Sequence, residues 1–370
     1  MILLLHNRYR LPGGEERAVE DLAWLIREQL GEDAEVLERD SAVLGNRRAA
    51  AGLLRGGLAP EEVAHAVRRT RARVVHAHNV NPSFGWRALA AAREAGARVV
   101  LHLHNYRLVC AQGLCFTRGE DCTRCHGRDT RPGLRLNCRG GSRAEAAAYA
   151  AGLALWQRRL AEQVDAFVVP SAFAIGRLRE LGAPVGDRAH VVGSVQREIA
   201  GASRAAEGRH VLAAGRLTPE KGFADAIDAA RGAGLPLVVA GDGPQAAELR
   251  ARAAGADVRF TGAIGAAELS ELRREAGAAV VPSRFAEILP LAALEAMAAG
   301  VPLAAAETGG LKDAVPEEGH YPAGDVDALA ARLTSLWRSS EAGERVLAVA
   351  RDRYSPTAVG AALAKAYTAA

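Results

Sequence analysis

Short, almost uninterrupted apolar runs punctuate the chain, and between them apolar residues recur three and four positions apart. The runs are Met1–His6, Val36–Arg39, Val74–His78, Arg98–His102, Ala166–Val169 and His190–Val192, then His210–Ala214, Pro236–Ala240, Arg259–Thr261, Ala278–Val281 and Leu303–Ala305. Continuous rather than alternating apolarity predicts strands covered on both faces, as in parallel sheets. The helical period predicts helices over Ala18–Gln29, Pro60–Thr70, Trp86–Ala95, Arg143–Glu162 and Phe173–Leu181 in a first series. A second series covers Phe223–Arg231, Pro244–Ala253, Ala266–Ala276, Pro290–Ala299, Leu311–Ala314 and Val326–Trp337. Such βα alternation is an α/β architecture.

The alternation breaks once, at Ser194–Gly208, a stretch of small and polar residues with no clear period. It is the best linker candidate. Two Rossmann-like, doubly wound domains are therefore expected, over 1–193 and 209–350, with a linker at 194–208 and ligands in a cleft beyond the strand ends. The tail 351–370 restarts at Ser355-Pro356 and ends in a helix, Thr357–Tyr367, expected to pack back on the first domain.

A length of 370 residues suits two domains, and 49% hydrophobic with 24% charged residues is ordinary for a soluble protein. No run approaches the ~18 apolar residues that span a bilayer, and Met1–Leu5 is too short for a secretory signal. A cytoplasmic location is the expectation. Charge changes the picture more. Residues 1–190 hold 28 Arg and no Lys against 21 acids, whereas 191–370 are net acidic. Within 41–143 there are 18 Arg against 6 acids. Such a basic face suits an anionic acceptor or peripheral contact with the inner face of a membrane, against the alternative of dispersed surface arginine. Nothing points to nucleic acid.

The chemistry concentrates at the ends of second-series strands. After Val281, a loop carries Glu287, and Pro290 stands where a helix should start. The first turn offers the N–H groups of Leu291 and Ala292 to an anion such as phosphate. Glu295 is the lone charge of that helix, either on an ordinary solvent face or kept for a ligand's hydroxyls. A phosphate site beside two carboxylates suggests a nucleotide sugar. A loop from Gly215 to Phe223 places Arg216 and Lys221 five residues apart, cations able to wrap a diphosphate. Gly241–Pro244 is a tight turn into a helix, and Gly309-Gly310 precedes Leu311, where a backbone without side chains could approach a ligand closely.

In this order the motifs resemble those of the GT-B glycosyltransferases, specifically the retaining family 4, over nearly the whole chain. Glu287 and Glu295 resemble that family's glutamate pair. Gly215–Gly222 resembles its G-R-L-x-x-E-K-G loop, Gly241–Pro244 its G-x-G-P turn, and Gly309-Gly310 its G-G loop. In the first series, Gly13-Gly14 resembles the family's N-terminal glycine loop, Val75–His78 its V-H-x-H segment, His104 its donor-side histidine and Pro170-Ser171 its P-S turn. Two departures stand out: Ile288-Leu289-Pro290 replaces Pro-Phe-Gly after the first glutamate, and Gly193-Ser194-Val195 replaces Asn-Gly-Val.

The resemblance implies a GT-B fold with two domains facing a central cleft. It implies a retaining transferase moving a sugar from a UDP- or GDP-sugar to a saccharide, lipid-linked or small-molecule acceptor. Catalytic roles would fall to His104, Arg216, Lys221 and Glu287. Gly13, Gly14, Gly241, Gly243, Leu291, Ala292, Glu295 and Gly309 would bind substrate, with Glu295 on the ribose. No Asp-x-Asp pair precedes the donor loops, so metal-independent catalysis without a cofactor is expected. The alternatives are another GT-B enzyme (a nucleotide-sugar epimerase or a glycogen-type synthase) or a non-catalytic nucleotide- or zinc-binding interaction protein.

All five cysteines fall between Cys110 and Cys138. Cys122 and Cys125 form a C-x2-C knuckle, and with Cys110 and Cys138 they could hold a structural zinc; reduced thiols and disulfides are the other readings. The lobe 110–142 is rich in Gly and Pro, and the expectation is that it needs such a staple.

Overall fold

The computed structural model describes residues 1–9, 13–139 and 142–369. Positions 140–141 of the cysteine-rich lobe lie outside the described residues. The chain divides into two units. Unit 1 comprises residues 1–115, 122–195 and 359–370, and unit 2 comprises residues 116–121 and 196–358.

Strands are numbered along the chain. Unit 1 contains β1 (Ile2–Arg8), β2 (Ala34–Asp40), β3 (Val74–Ala77) and β4 (Arg98–His102). A small antiparallel hairpin follows, β5 (Phe116–Thr117) and β6 (Glu120–Asp121), then β7 (Ala166–Val169) and β8 (Ala189–Val191). Strands β9 (His210–Ala214), β10 (Leu237–Ala240), β11 (Val258–Gly262), β12 (Ala276–Val281), β13 (Leu303–Ala306) and β14 (His320–Tyr321) belong to unit 2. Each unit holds one six-stranded sheet, in the orders β2-β1-β3-β4-β7-β8 and β11-β10-β9-β12-β13-β14. Every neighbouring pair within the two sheets is parallel.

The reason lies in the apolar runs. In β9, Val211 and Ala213 enter one core, while Leu212 enters the core on the opposite face. In β12, Ala278 and Val280 divide from Ala279 and Val281 in the same way. In unit 1, Ile2 and Leu4 of β1 pack with Val74 and Val100 under helix Gly14–Leu30 and the last helix, Pro356–Thr368. Leu3 and Leu5 are fully buried as well. The expected α/β architecture of two doubly wound parallel sheets is what forms.

Several elements differ from the reading of the pattern. Helix Ser340–Tyr354 was not predicted, because its buried face uses small residues (Ala342, Gly343, Ala350) that dilute the apolar stripe. Helix Asn46–Arg55, also unpredicted, buries only Gly52 and Leu53. Helix Ala266–Arg274 ends earlier than expected, since Ala276 already begins β12. Pro290 is not the first helical residue: it caps helix Leu291–Ala298 with an extended backbone.

The linker segment is also more tied down than its composition suggests. The Gln196 N–H donates to the Tyr354 carbonyl at 2.8 Å, the Ala200 N–H to Ala298 at 2.8 Å, and Ser203 Oγ to Gly300 at 2.6 Å. Residues 196–208 thus group with unit 2. Hairpin residues 116–121, expected within the first domain, group there too. The tail 351–370 divides: helix Ser340–Tyr354 ends in unit 2, and residues from Val359 onward pack in unit 1, where Leu363 and Tyr367 are buried. No helix among the described residues is long and apolar enough to cross a membrane.

The last helix is integral to the unit 1 core. Leu363→Ala is therefore expected to destabilise unit 1 by about 2–5 kcal/mol in urea unfolding. A loss well below ~1 kcal/mol would mean that this helix contributes nothing to that core.

Candidate functional site

The polar residues of unit 2 gather at the C-terminal ends of β9, β10, β12 and β13, where the chain leaves the two-sided core. The Gly215–Gly222 loop ends in a 3-10 turn over Pro219–Lys221. This turn directs Lys221 Nζ to Glu287 Oε2 at 2.6 Å. Ser283 Oγ donates to the other carboxylate oxygen. The Glu287 side chain is 9% exposed and that of Lys221 28%. The ammonium also lies 5.5 Å from the centre of the Phe285 ring. Lys221 has three donors, so two remain for an incoming anion. Arg216 is exposed in the same loop.

A second pair, absent from the sequence reading, locks the same loops. Arg284 Nε donates to the buried Asp225 carboxylate at 2.8 Å, and the Arg284 N–H donates to the Glu220 carbonyl at 2.9 Å. Sequence offered one hint: Asp225 is an acid on the apolar face of a predicted helix, and such an acid needs a partner.

The glycines of these loops have a packing role. A Cβ on Gly241 (φ 140°) would lie 1.9 Å from the Gly215 carbonyl oxygen, and one on Gly243 would lie 2.5 Å from the Leu217 carbonyl oxygen. On Gly309 (φ 56°) it would meet the Glu287 backbone at 2.4 Å, and the Gly310 N–H donates to that residue's carbonyl at 2.7 Å. In each case the space beside the glycine is filled by a neighbouring loop. These glycines allow the loops to pack backbone on backbone, which fixes Glu287 in place.

Glu295 is neither on a solvent face nor waiting unpaired. Arg273, at the end of helix Ala266–Arg274, donates to its carboxylate, and both side chains are nearly buried. Leu291 and Ala292 begin the helix that carries Glu295, and their N–H groups have no acceptor within it.

In unit 1, Gly13 precedes helix Gly14–Leu30. Its N–H donates to Glu16 Oε2 at 2.7 Å, and the Tyr9 N–H donates to Oε1 at 3.1 Å. The neighbouring Glu15 forms the centre of a polar network that the motif reading passed over. Tyr9 Oη donates to Glu15 Oε2 at 2.7 Å, and the Asn79 N–H donates to Oε1 at 3.0 Å. Tyr9 Oη in turn accepts from Arg107 at 2.9 Å and from Asn105 at 3.2 Å. Burial pushes the Glu15 carboxyl above its ordinary range, against the Tyr9 hydrogen bond and the Arg107 charge. Glu15, Asn79, Asn105 and Arg107, with His78, His104 and Trp86, line a cavity of about 60 Å³.

His104 belongs to a column of imidazoles. Its ring stacks on His102 at 3.9 Å, and its Nε2 lies 2.7 Å from His78 Nδ1. His76 stacks on His78 at 4.8 Å, and His6 meets His78 edge-on. Burial lowers the pKa of His76 and of His104 to about 3, and lowers those of His6, His78 and His102 as well. Glu16 opposes the shift at His104, and Glu15 and Glu16 oppose it at His6.

In the cysteine lobe, Cys125 lies near enough to Cys110 and Cys138 to feel their charge, and Cys115 hydrogen-bonds Cys110. Among the described residues, the ligand atoms of Cys110, Cys122, Cys125 and Cys138 are not gathered as a metal-binding group, and none of the five cysteines forms a disulfide. Hydrogen bonds help to order the lobe. The buried Gln157 amide donates to the carbonyls of Leu108 and Gly127 at 2.9 Å each, and Thr130 Oγ1 donates to Ala150 at 2.7 Å. Cys110 Sγ accepts from the Gly113 N–H at 3.3 Å. The Cys115 thiol beside it helps bring its pKa down to about 6, while burial pushes Cys125 up to about 11.

Two parallel, doubly wound sheets with charged loops at the strand ends define an α/β protein of the GT-B class. The family model described as "Glycosyl transferase 4-like domain" matches residues 23–194, and that described as "Glycosyl transferases group 1" matches residues 195–353. Together they span nearly the whole chain, which thus belongs to the glycosyltransferases built from these two domains. Among solved structures, the sucrose-phosphate synthase of Thermosynechococcus elongatus shares the fold with a TM-score of 0.68 at 17% identity, over 99% of this chain and 98% of that one. HepE of Anabaena, solved in complex with UDP, shares it at 0.64 and 16% identity, over 98% of each chain. The glycogen synthase of Mycobacterium tuberculosis is 38% identical over 176 residues, 43% of this chain and 42% of its own. The chain spans less than half the length of the curated relatives it matches.

Arg273 and Glu295 hold each other's charge away from water. Arg273→Met should therefore cost about 3–5 kcal/mol in urea unfolding, and adding Glu295→Leu should recover most of that loss. A single substitution costing under ~1 kcal/mol would show a solvated carboxylate. The imidazole column makes a second prediction. Its members stay neutral in the folded protein, whereas an unfolded histidine takes up a proton near pH 6.5. Stability should be level above pH 7 and fall as the pH drops from 6.5 towards 3, by up to about 1.4 kcal/mol per pH unit for each histidine. Urea midpoints in metal-free buffer at pH 8, 7 and 5 measure this, and equal midpoints at all three would refute it.

Proposed function

We propose that the chain is a retaining glycosyltransferase that moves a sugar from a UDP- or GDP-sugar to an acceptor hydroxyl without a catalytic metal. The carrying observation is the Lys221–Glu287 pair: a nearly buried carboxylate held by the ammonium of a loop that also presents Arg216. Lys221 and Arg216 supply positive charge where the leaving diphosphate gathers negative charge, which is electrostatic stabilisation of the transition state. Glu287 accepts hydrogen bonds from sugar hydroxyls, and Glu295, oriented by Arg273, from ribose hydroxyls. The N–H groups of Leu291 and Ala292 take a phosphate oxygen. The resemblance of their motifs supports a donor-binding role for His104, Gly13 and Gly14.

In this reading the bond from the anomeric carbon to the phosphate oxygen breaks on the face where the acceptor oxygen bonds. The leaving phosphate oxygen takes the acceptor's proton, so configuration is retained. The neighbour solved with UDP supports a uridine donor. The arginine-rich first half supports an anionic or lipid-linked acceptor reached at the inner face of a membrane. The match to a glycogen synthase supports a second reading, a glycogen-type synthase with a growing glucan as acceptor. A panel of nucleotide sugars screened for thermal stabilisation, followed by turnover with glucan and lipid-linked acceptors, separates the two.

Glu287→Gln and Lys221→Ala should each lower sugar transfer by about 10²-fold or more, with Arg216→Ala acting in the same direction. Parental turnover in the Glu287 and Lys221 variants would show that the chemistry lies elsewhere.

A further inference from the structure

The imidazole column contains more unsatisfied nitrogen than a finished core should. His76 and His78 are fully buried and His102 is 9% exposed. The Nε2 atoms of His76 and His78 and both ring nitrogens of His102 have no hydrogen-bond partner. An orphaned buried donor or acceptor costs about 1–3 kcal/mol, so four in one place call for an occupant. Ring nitrogens of the three residues lie within 4.8 Å of one another, and this is the metal-binding constellation found among the described residues.

The opposite edges of two rings are already anchored. His76 Nδ1 lies 2.8 Å from Tyr367 Oη, and His78 Nδ1 lies 2.7 Å from His104 Nε2. Protons on the two Nδ1 atoms would be donated to Tyr367 and His104, leaving both Nε2 lone pairs free. That is the outer-shell arrangement that fixes the tautomer of a metal-bound histidine.

We propose that His76, His78 and His102 bind a divalent late first-row metal ion, such as Zn²⁺, as a clasp between β3 and β4. Three neutral imidazoles with no carboxylate among them favour Zn²⁺, Co²⁺, Ni²⁺ or Cu²⁺ over Mg²⁺ or Ca²⁺. Two nitrogens at about 2.1 Å from one ion stand no more than ~4.2 Å apart, so the rings draw together slightly on binding. The fourth position is left to water. The clasp is structural, and its test needs no sugar transfer.

The full chain, without a histidine tag, is stripped with chelator, loaded with Zn²⁺ or Co²⁺ and passed through gel filtration. About one equivalent of metal should be retained. The Co²⁺ form should show visible ligand-field bands without the intense near-ultraviolet band of a cobalt–thiolate bond. His102→Gln and His76→Gln should lose at least nine-tenths of the retained metal. Tyr367→Phe, which removes only the outer hydrogen bond, should weaken affinity about 10-fold. Joint Cys→Ser replacement at 110, 122, 125 and 138 should leave the metal content unchanged. Circular dichroism checks that each variant folds; if the histidine variants do not, the cobalt spectrum of the parent and the Tyr367→Phe affinity decide. No retained metal, or metal that carries the thiolate band and leaves with the cysteines, overturns the proposal and assigns the orphaned nitrogens to buried water.

Discussion

Both faces of each parallel sheet are covered by helices, and this constraint governs where anything polar can stand. A strand such as Ala276–Val281 buries every residue, so it has no side chain to spare for a ligand. Charge is expelled to the loops beyond the strand ends. There Lys221 meets Glu287, and Arg284 meets Asp225. The loops that carry these pairs leave adjacent strands and are crowded together. Gly241, Gly243 and Gly309 release the space that lets their backbones touch. The carboxylate at Glu287 is thus held by the Lys221 ammonium and the Ser283 hydroxyl, while the Gly310 N–H holds the same residue's backbone carbonyl.

What could be read in advance follows from the range of each interaction. The apolar runs report local burial, and the two series of strands form where the pattern puts them. The glycine positions were legible for the same reason, but the backbones packed against them were not, because a glycine's neighbour is set by folding. Glu295 shows this limit. Its isolation in an apolar helix signalled a need for a partner, yet Arg273 lies 22 positions earlier, among other arginines of similar appearance. The amide of Gln157 was equally silent, one of several polar residues in a long helix, yet it proves to hold the Leu108 and Gly127 carbonyls. Helix Ser340–Tyr354 was missed because glycine and alanine pack closely without registering as an apolar stripe.

Cysteine and histidine make an instructive contrast. The cysteines crowd together in sequence, C-x2-C is a recognised ligand spacing, and hydrogen bonds from Gln157 and Thr130 help order their lobe. The histidines sit as separate pairs, His76 with His78 and His102 with His104, at or just past the ends of two predicted strands. They converge because β3 and β4 are neighbours in register, with His76 opposite Val100. Residues two apart on a strand share a face, so two such pairs on adjacent strands must stack. Sheet register is thus a stronger organiser of ligand atoms than proximity along the chain. A parallel sheet that admits a column of neutral imidazoles into its core has accepted a cost in unmet hydrogen bonds that apolar residues at the same positions would avoid. That cost is the physical ground for looking beyond the strand-end chemistry for an occupant between β3 and β4.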